Sequence, residues 1–280
     1  SALKHVRSEK DVYTLMRMIQ VNILNTINTL EIAEKIGAKK YFCVSSDKAA
    51  GPVNMMGASK RMMEIIIHER SKNINVSTAR FANVAFSDGS LLHSFKLRFE
   101  KNQPLVAPLD TFRYFLTPKE SGQLCLMACI LGENRDIFFP TSEKELNLIG
   151  FSEIAQNFLN FHGYRPFECS SEEEARDRVS ELIRNKQWPC YFFQSDTTGE
   201  KRAEEFFTEN ENVSWKRFDD IGIIKNEYGN NSEKLESFLK EIHLLKNSTK
   251  WKKEEFVNLF KSTLKEFSHG EKGIYLDSKM

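Results

Sequence analysis

Ser45, Ser46, Asp47 and Lys48 follow one another directly, and Lys60 comes shortly after them. Hydroxyls, a carboxylate and two lysines in so short a stretch are the makings of acid–base chemistry. A lysine whose pKa is depressed serves as a general base, and a neighbouring carboxyl group serves as its partner acid. Two lysines near one carboxylate are expected to depress each other's pKa relative to an isolated lysine. The plainer reading is that Ser46 and Asp47 cap a turn while Lys48 lies in solvent. The residue types alone leave both open.

These groups need a frame. The spacing predicts one helix from Asp11 to Ile36, with apolar residues at the 3.6-residue period and Gly37 as its stop. A short buried strand is predicted from Tyr41 to Ser45, so the polar run falls at a strand's carboxyl end. A helix over Met55 to Arg70 would carry Lys60 one turn in, pointing back to the same place. The stretch INVSTARF reads as the next strand, Ser90 to Lys101 as a helix, FRYFLTPKES as a strand running into a helix, and RDIFFP as another strand. Thr117, Pro118 and Glu120 spell a capping box. Strands alternating with helices predict an open parallel α/β sheet, whose ligands sit beyond the carboxyl ends of the strands.

After Pro140 the pattern turns helical: Phe151 to Phe161, Ser171 to Asn185, Asn231 to Lys246 and Lys253 to Phe267. Only CYFFQS reads clearly as a strand there. A soft boundary near residues 141–150 divides a sheet-forming portion, 1–140, from a mostly helical portion, 141–280.

The stretch SSDKAAGPVNMMGASKRMME resembles the active-site segment of nucleotide-sugar 4,6-dehydratases of the extended short-chain dehydrogenase/reductase superfamily. It is most similar to the polysaccharide-biosynthesis branch that includes UDP-N-acetylglucosamine 4,6-dehydratases. SALKHV, VNILNTINTLEIA, ARFANVAFSDGSLLHSF, FRYFLTPKESG and TTGEKRAEEFF resemble other segments of that branch, in the same order. The resemblance covers residues 1–140 well, returns at 197–207 and fades beyond.

The resemblance implies part of an NAD-binding Rossmann-like parallel sheet, followed by a helix-rich substrate-binding region. It implies tightly held NAD, with NADP as an alternative, and a nucleotide-sugar substrate. Hydride would leave C4 of the sugar, a base would take the C5 proton, water would leave from C6, and hydride would return to C6. In that scheme Lys48 is the base and Asp47 the acid. Lys60 holds the nicotinamide ribose, and Ser46 bonds a sugar hydroxyl. Ser45, Asn22 and Asn83 meet the cofactor. Asn83, Arg113, Gly199 and Lys201 grip the substrate diphosphate, with Lys4 in the same cleft. Met56 stands where most of the superfamily has a catalytic tyrosine, as in a subset of this branch. Plain surface charge remains an alternative for Arg113 and Lys201.

Two departures matter. FSDG, with Ser87 and Asp88, stands where many relatives have Gly-Ser-Arg-Gly. The 13 glycines include no Gly-x-Gly pair, the turn that cradles a dinucleotide pyrophosphate. Together with Ser1 in place of an initiator Met, this predicts that the chain belongs to a longer one, with a first βαβ unit ahead of it.

Composition narrows the rest. With 280 residues, 28% charged and a net charge of +1, no basic field draws the chain to nucleic acid or a membrane surface. No run approaches the ~20 apolar residues of a membrane helix. Five cysteines without Cys-x-x-Cys, and six histidines without ligand spacing, argue against a disulfide framework or metal site. A cytoplasmic homo-oligomer is the expectation. A same-fold epimerase or reductase and a non-catalytic binding fragment stand as alternatives.

Overall fold

A computed structural model describes residues 2–141, 148–226 and 232–275. α1 (Val12–Ile19) and α2 (Asn25–Lys35) are joined by a π-turn at Gln20–Leu24, so the single helix expected there is interrupted. Such turns lengthen the hydrogen-bond ring and re-aim one side chain, here Asn22. Gly37, at φ 70°, closes α2 as expected.

β1 (Lys40–Ser46) leads through a tight turn into α3 (Met55–Glu69) and back into β2 (Asn75–Phe81). There follow β3 (Asn83–Val84), α4 (Leu91–Glu100), β4 (Leu105–Pro108), β5 (Phe112–Arg113), β6 (Phe115–Leu116), α5 (Pro118–Leu131) and β7 (Asp136–Pro140). The Thr117–Glu120 capping box forms at the start of α5. Beyond lie β8 (Ile149–Gly150), α6 (Phe151–Phe161), β9 (Arg165–Glu168), α7 (Glu172–Asp177), α8 (Val179–Arg184), β10 (Gln187–Phe193), β11 (Asn212–Ser214), β12 (Ile221–Lys225), α9 (Ser232–Asn247) and α10 (Lys253–Thr263).

The main sheet runs β1-β2-β7-β12-β11, with β1, β2 and β7 parallel and β12 antiparallel to β7. The α/β class is therefore as the sequence implies. A second sheet, β4-β10-β9, is all parallel. CYFFQS is thus one of several strands after Pro140. β9 was hidden by Pro166, which it tolerates because it is an edge strand. β11 is too short for its alternation to show. The helix expected over Ser171 to Asn185 breaks at Arg178 into α7 and α8. Asn231 and most of the boundary region at 141–150 fall outside the described residues.

The apolar face of α1 and α3 is covered by α9 and α10, which contribute Phe238, Phe256 and Phe260 to one buried cluster. Burial of such side chains contributes roughly 1.5–3 kcal/mol each. A second cluster joins α5 to β2, β7 and β12, and a third joins α4 and α6 to the second sheet. Among the described residues, no helix is long and apolar enough to cross a membrane.

Candidate functional site

The parallel strands β1 and β2 end together, with Ser46 opposite Phe81. Alternation along β1 sends adjacent serines to different places. Ser45 Oγ donates to Glu64 Oε1 at 2.6 Å, while Ser46 Oγ donates to Asp47 Oδ1 at 2.8 Å. Asp47–Ala49 forms a 3₁₀ turn, and Asn54 caps α3 by accepting from the Gly57 amide at 2.8 Å. A Cβ at Gly57 would lie 2.3 Å from the Lys48 carbonyl oxygen, so glycine lets α3 begin directly behind the Asp47–Lys48 turn.

Asp47 and Lys48 open a line of alternating charge. The Lys48 and Asp47 side chains meet at 3.2 Å. Lys48 Nζ lies 3.5 Å from Glu204 Oε1, and Arg113 Nη2 lies 3.7 Å from the same oxygen. Arg113 then pairs with Glu200 at 3.2 Å. Burial works against the Lys48 charge, but Asp47 and Glu204 outweigh it, and the Lys48 pKa is raised above that of ordinary lysine. The expected depression is therefore reversed, because Lys48 faces two carboxylates rather than sharing one with a second lysine. Lys60 does have a lowered pKa, and its cause is burial.

Lys48, Arg113 and Glu204 line a cleft of about 260 Å³. Lys4, Asn83 and Gly199, all assigned from the sequence, line it too. Three polar atoms on its walls are buried without a partner among the described residues: His5 Nε2, Asn83 Nδ2 and Glu204 Oε2. Burial, helped by Arg7 and Lys4, lowers the His5 pKa and favours its neutral form. The FSDG loop supplies Ser87 and Asp88 to the wall, and Phe86 ahead of them has φ 55°, a costly conformation for a bulky residue.

Other assigned residues are held elsewhere. Ser45 joins a fully buried ion cluster: Arg80 Nε and Nη2 meet the two Glu64 oxygens at 2.9 and 2.7 Å, and Glu211 braces Arg80 from the far side at 2.7 and 2.8 Å. Burial pushes the Glu64 carboxyl up, yet Arg80 and Arg61 hold it down at about 2. Asn22 bonds both the amide and the carbonyl of Leu3 at 2.9 Å and the Ser59 hydroxyl at 3.0 Å. Met56 packs in the α1–α3–α9–α10 cluster. Lys60 Nζ donates to the Val44 carbonyl at 2.9 Å, and Lys201 Nζ to the Ala50 carbonyl at 3.0 Å, neither on the cleft wall.

Ser45, Asn22, Met56 and Lys60 are thus bonded or packed within the protein, off the cleft wall.

Tyr275 reaches the cleft from a part of the chain that carries no site signal in sequence. Residues 268–275 form a strap: the Ser268 and Gly270 amides donate to the Pro52 and Val53 carbonyls at 3.0 and 3.2 Å, and the Gly199 and Thr198 amides donate to Gly270 and Ile274 at 2.9 and 2.7 Å. Tyr275 ends the strap on the cleft wall, its hydroxyl 2.7 Å from Lys253 Nζ. Lys253 also pairs with Glu271 and lies 3.8 Å from Glu9, which His269 meets at 3.2 Å. Glu9, His269 and Glu271 are close enough to surround a cation, and the Lys253 ammonium supplies positive charge there. Glu200 and Glu204 were likewise missed as site residues, although both lie in the TTGEKRAEEFF stretch.

Residues 1–226 match the polysaccharide biosynthesis protein family, and the chain belongs to it. It is 32% identical over 177 residues to EpsC of Bacillus subtilis, a probable polysaccharide biosynthesis protein, covering 60% of this chain and 29% of that one. The chain thus spans under a third of that relative's length. Among solved structures it resembles Pen from Bacillus thuringiensis, with TM-score 0.64 and 22% identity over 88% of this chain and 74% of that one. It also resembles DesIV, a dTDP-glucose 4,6-dehydratase from Streptomyces venezuelae solved with NAD bound, with TM-score 0.55 and 14% identity over 73% of this chain and 62% of that one. At these identities the structures show a shared Rossmann-type fold.

Proposed function

We propose that this chain carries the sugar-nucleotide site of a 4,6-dehydratase acting on a UDP-N-acetylhexosamine, with UDP-N-acetylglucosamine as the leading candidate, in surface-polysaccharide or glycan synthesis. The observation that carries the reading is the convergence of Lys48, Asn83 and Arg113, from three separate stretches, on one cleft. Lys4 and Arg7, also on the cleft, offer the cationic donors that a diphosphate takes up, while Arg113 is paired with Glu200 and Glu204. Lys48, held as an ammonium, acts in the resting cleft as an acid toward a sugar oxygen. To take the C5 proton it must first be released from one of its two carboxylates, which lowers its pKa.

The same ammonium favours a second reading, a 4-epimerase of this fold, because epimerisation at C4 requires no base at C5. Proton NMR on the full chain with NAD and UDP-N-acetylglucosamine separates the two. A C6 methyl doublet is expected, falling roughly 10²- to 10⁴-fold in rate for Lys48→Ala. A C4 epimer without a methyl signal selects the second reading. Binding without turnover leaves a binding module.

A further inference from the structure

We propose that Glu204 positions Lys48 through one carboxylate oxygen and accepts a hydrogen bond from a hydroxyl of the bound sugar through the other. The inference rests on the cleft being a sugar-nucleotide site. Glu204 is only 4% exposed and lines the cleft. Its Oε1 lies between Lys48 and Arg113, at 3.5 and 3.7 Å. Each of those cations already has a nearer carboxylate: Asp47 stands 3.2 Å from Lys48, and Glu200 stands 3.2 Å from Arg113. Neutralising the two cations therefore does not require Glu204. The line Asp47–Lys48–Glu204–Arg113–Glu200 holds three carboxylates against two cations, a surplus of negative charge.

Glu204 Oε2 is the counterpart of that surplus, buried and without a donor among the described residues. A carboxylate oxygen in such a place is costly until a donor reaches it. A diphosphate brings only acceptors and is repelled, so the group that docks there is an uncharged donor, which we assign to a sugar hydroxyl. Asn83 Nδ2, buried without a partner on the same cleft, asks for the opposite, an acceptor. An acceptor and a donor left open in one cleft suit a polyol, which supplies both. The arrangement also orients the ligand, with the sugar toward Glu204 and the diphosphate toward Arg7 and Lys4.

Calorimetric titration of the full chain and of Glu204→Gln with UDP and with UDP-N-acetylglucosamine tests this. The variant is expected to bind the sugar nucleotide roughly 10- to 100-fold more weakly, the cost of a charge-assisted hydrogen bond. UDP should bind as well or better, since a negative charge has gone. The pH profile of sugar-nucleotide binding should also move to lower pH, because Lys48 loses one of the groups that keep it protonated. Equal losses for both ligands mark a structural role and overturn the proposal, as does unchanged sugar-nucleotide affinity; either result leaves the reading of the cleft standing. Wild-type protein that binds neither ligand overturns both. Should the variant fail to fold, singly deoxygenated sugar nucleotides on the wild type decide. One strongly weakened analogue supports the proposal, and uniform affinity across the series overturns it.

Discussion

Two clusters of arginine, lysine and glutamate flank the end of β1, and they are finished to different degrees. Around Arg80 the contacts close: Glu64 is met twice by Arg80 and again by Ser45 and Arg61, and Glu211 fills the far side. Around Lys48 the contacts lengthen, and Glu204 and Asn83 keep buried atoms without partners. Similar residue types thus serve two ends. A completed network fixes how strand and helix pack, whereas one with open donors and acceptors on a cleft wall is the arrangement that the proposed ligand would complete.

The largest test of this contrast is Arg80→Met. It leaves two buried carboxylates, Glu64 and Glu211, to share Arg61 alone, and chemical denaturation is expected to show a loss of about 3–5 kcal/mol. A loss under ~1 kcal/mol would place the Arg80 cluster among weak surface pairs instead.

Acid titration comes next. His68, at the end of α3, is buried, and burial lowers its pKa from 6.5 to about 3. A group with a depressed folded-state pKa stabilises the protein above its unfolded value and loses that contribution as pH falls. Stability is therefore expected to decline from about pH 6.5 toward 3. Glu64, held at about 2, keeps its charge through that window, and the part of the decline that His68→Gln removes is the part that belongs to His68. Thermal melts of wild type and His68→Gln across the range should differ in slope; parallel curves would reassign the acid sensitivity.

The smallest effect compares neighbours. Ser45→Ala removes a hydrogen bond to a buried carboxylate and should cost about 1–3 kcal/mol, less than Arg80→Met. Ser46→Ala, on the half-open side of the strand, should cost less than Ser45→Ala in the same denaturation assay. Equal costs would erase the distinction between the two clusters.

The sequence was most legible where structure is local. The Asp47–Lys48 turn at a strand end, the start of α3 and the Thr117–Glu120 box were all readable because each rests on neighbours a few residues apart. The Lys48 charge state was not, since it depends on Glu204, a residue distant in the chain that only folding brings near. Ser45 and Ser46 were both expected at the site, Ser45 toward the cofactor and Ser46 toward the sugar, and strand alternation sends their side chains to different places. β11 carried too few residues for a period, and the strap of residues 268–275 is held by backbone amides and by side-chain pairs to Glu9, Thr198 and Lys253, partners far away in the chain.

That strap separates two lengths that are easily taken for one. The stretch matching the family ends at residue 226, but the unit that folds around the cleft does not. Residues 268–275 are hydrogen-bonded to Pro52, Val53 and Thr198 and bring Tyr275 to the cleft, and α9 and α10 roof the apolar face of α1 and α3. Cutting the chain to its recognisable portion would leave the recognisable residues intact, unroof the pocket they line and expose a hydrophobic face to water.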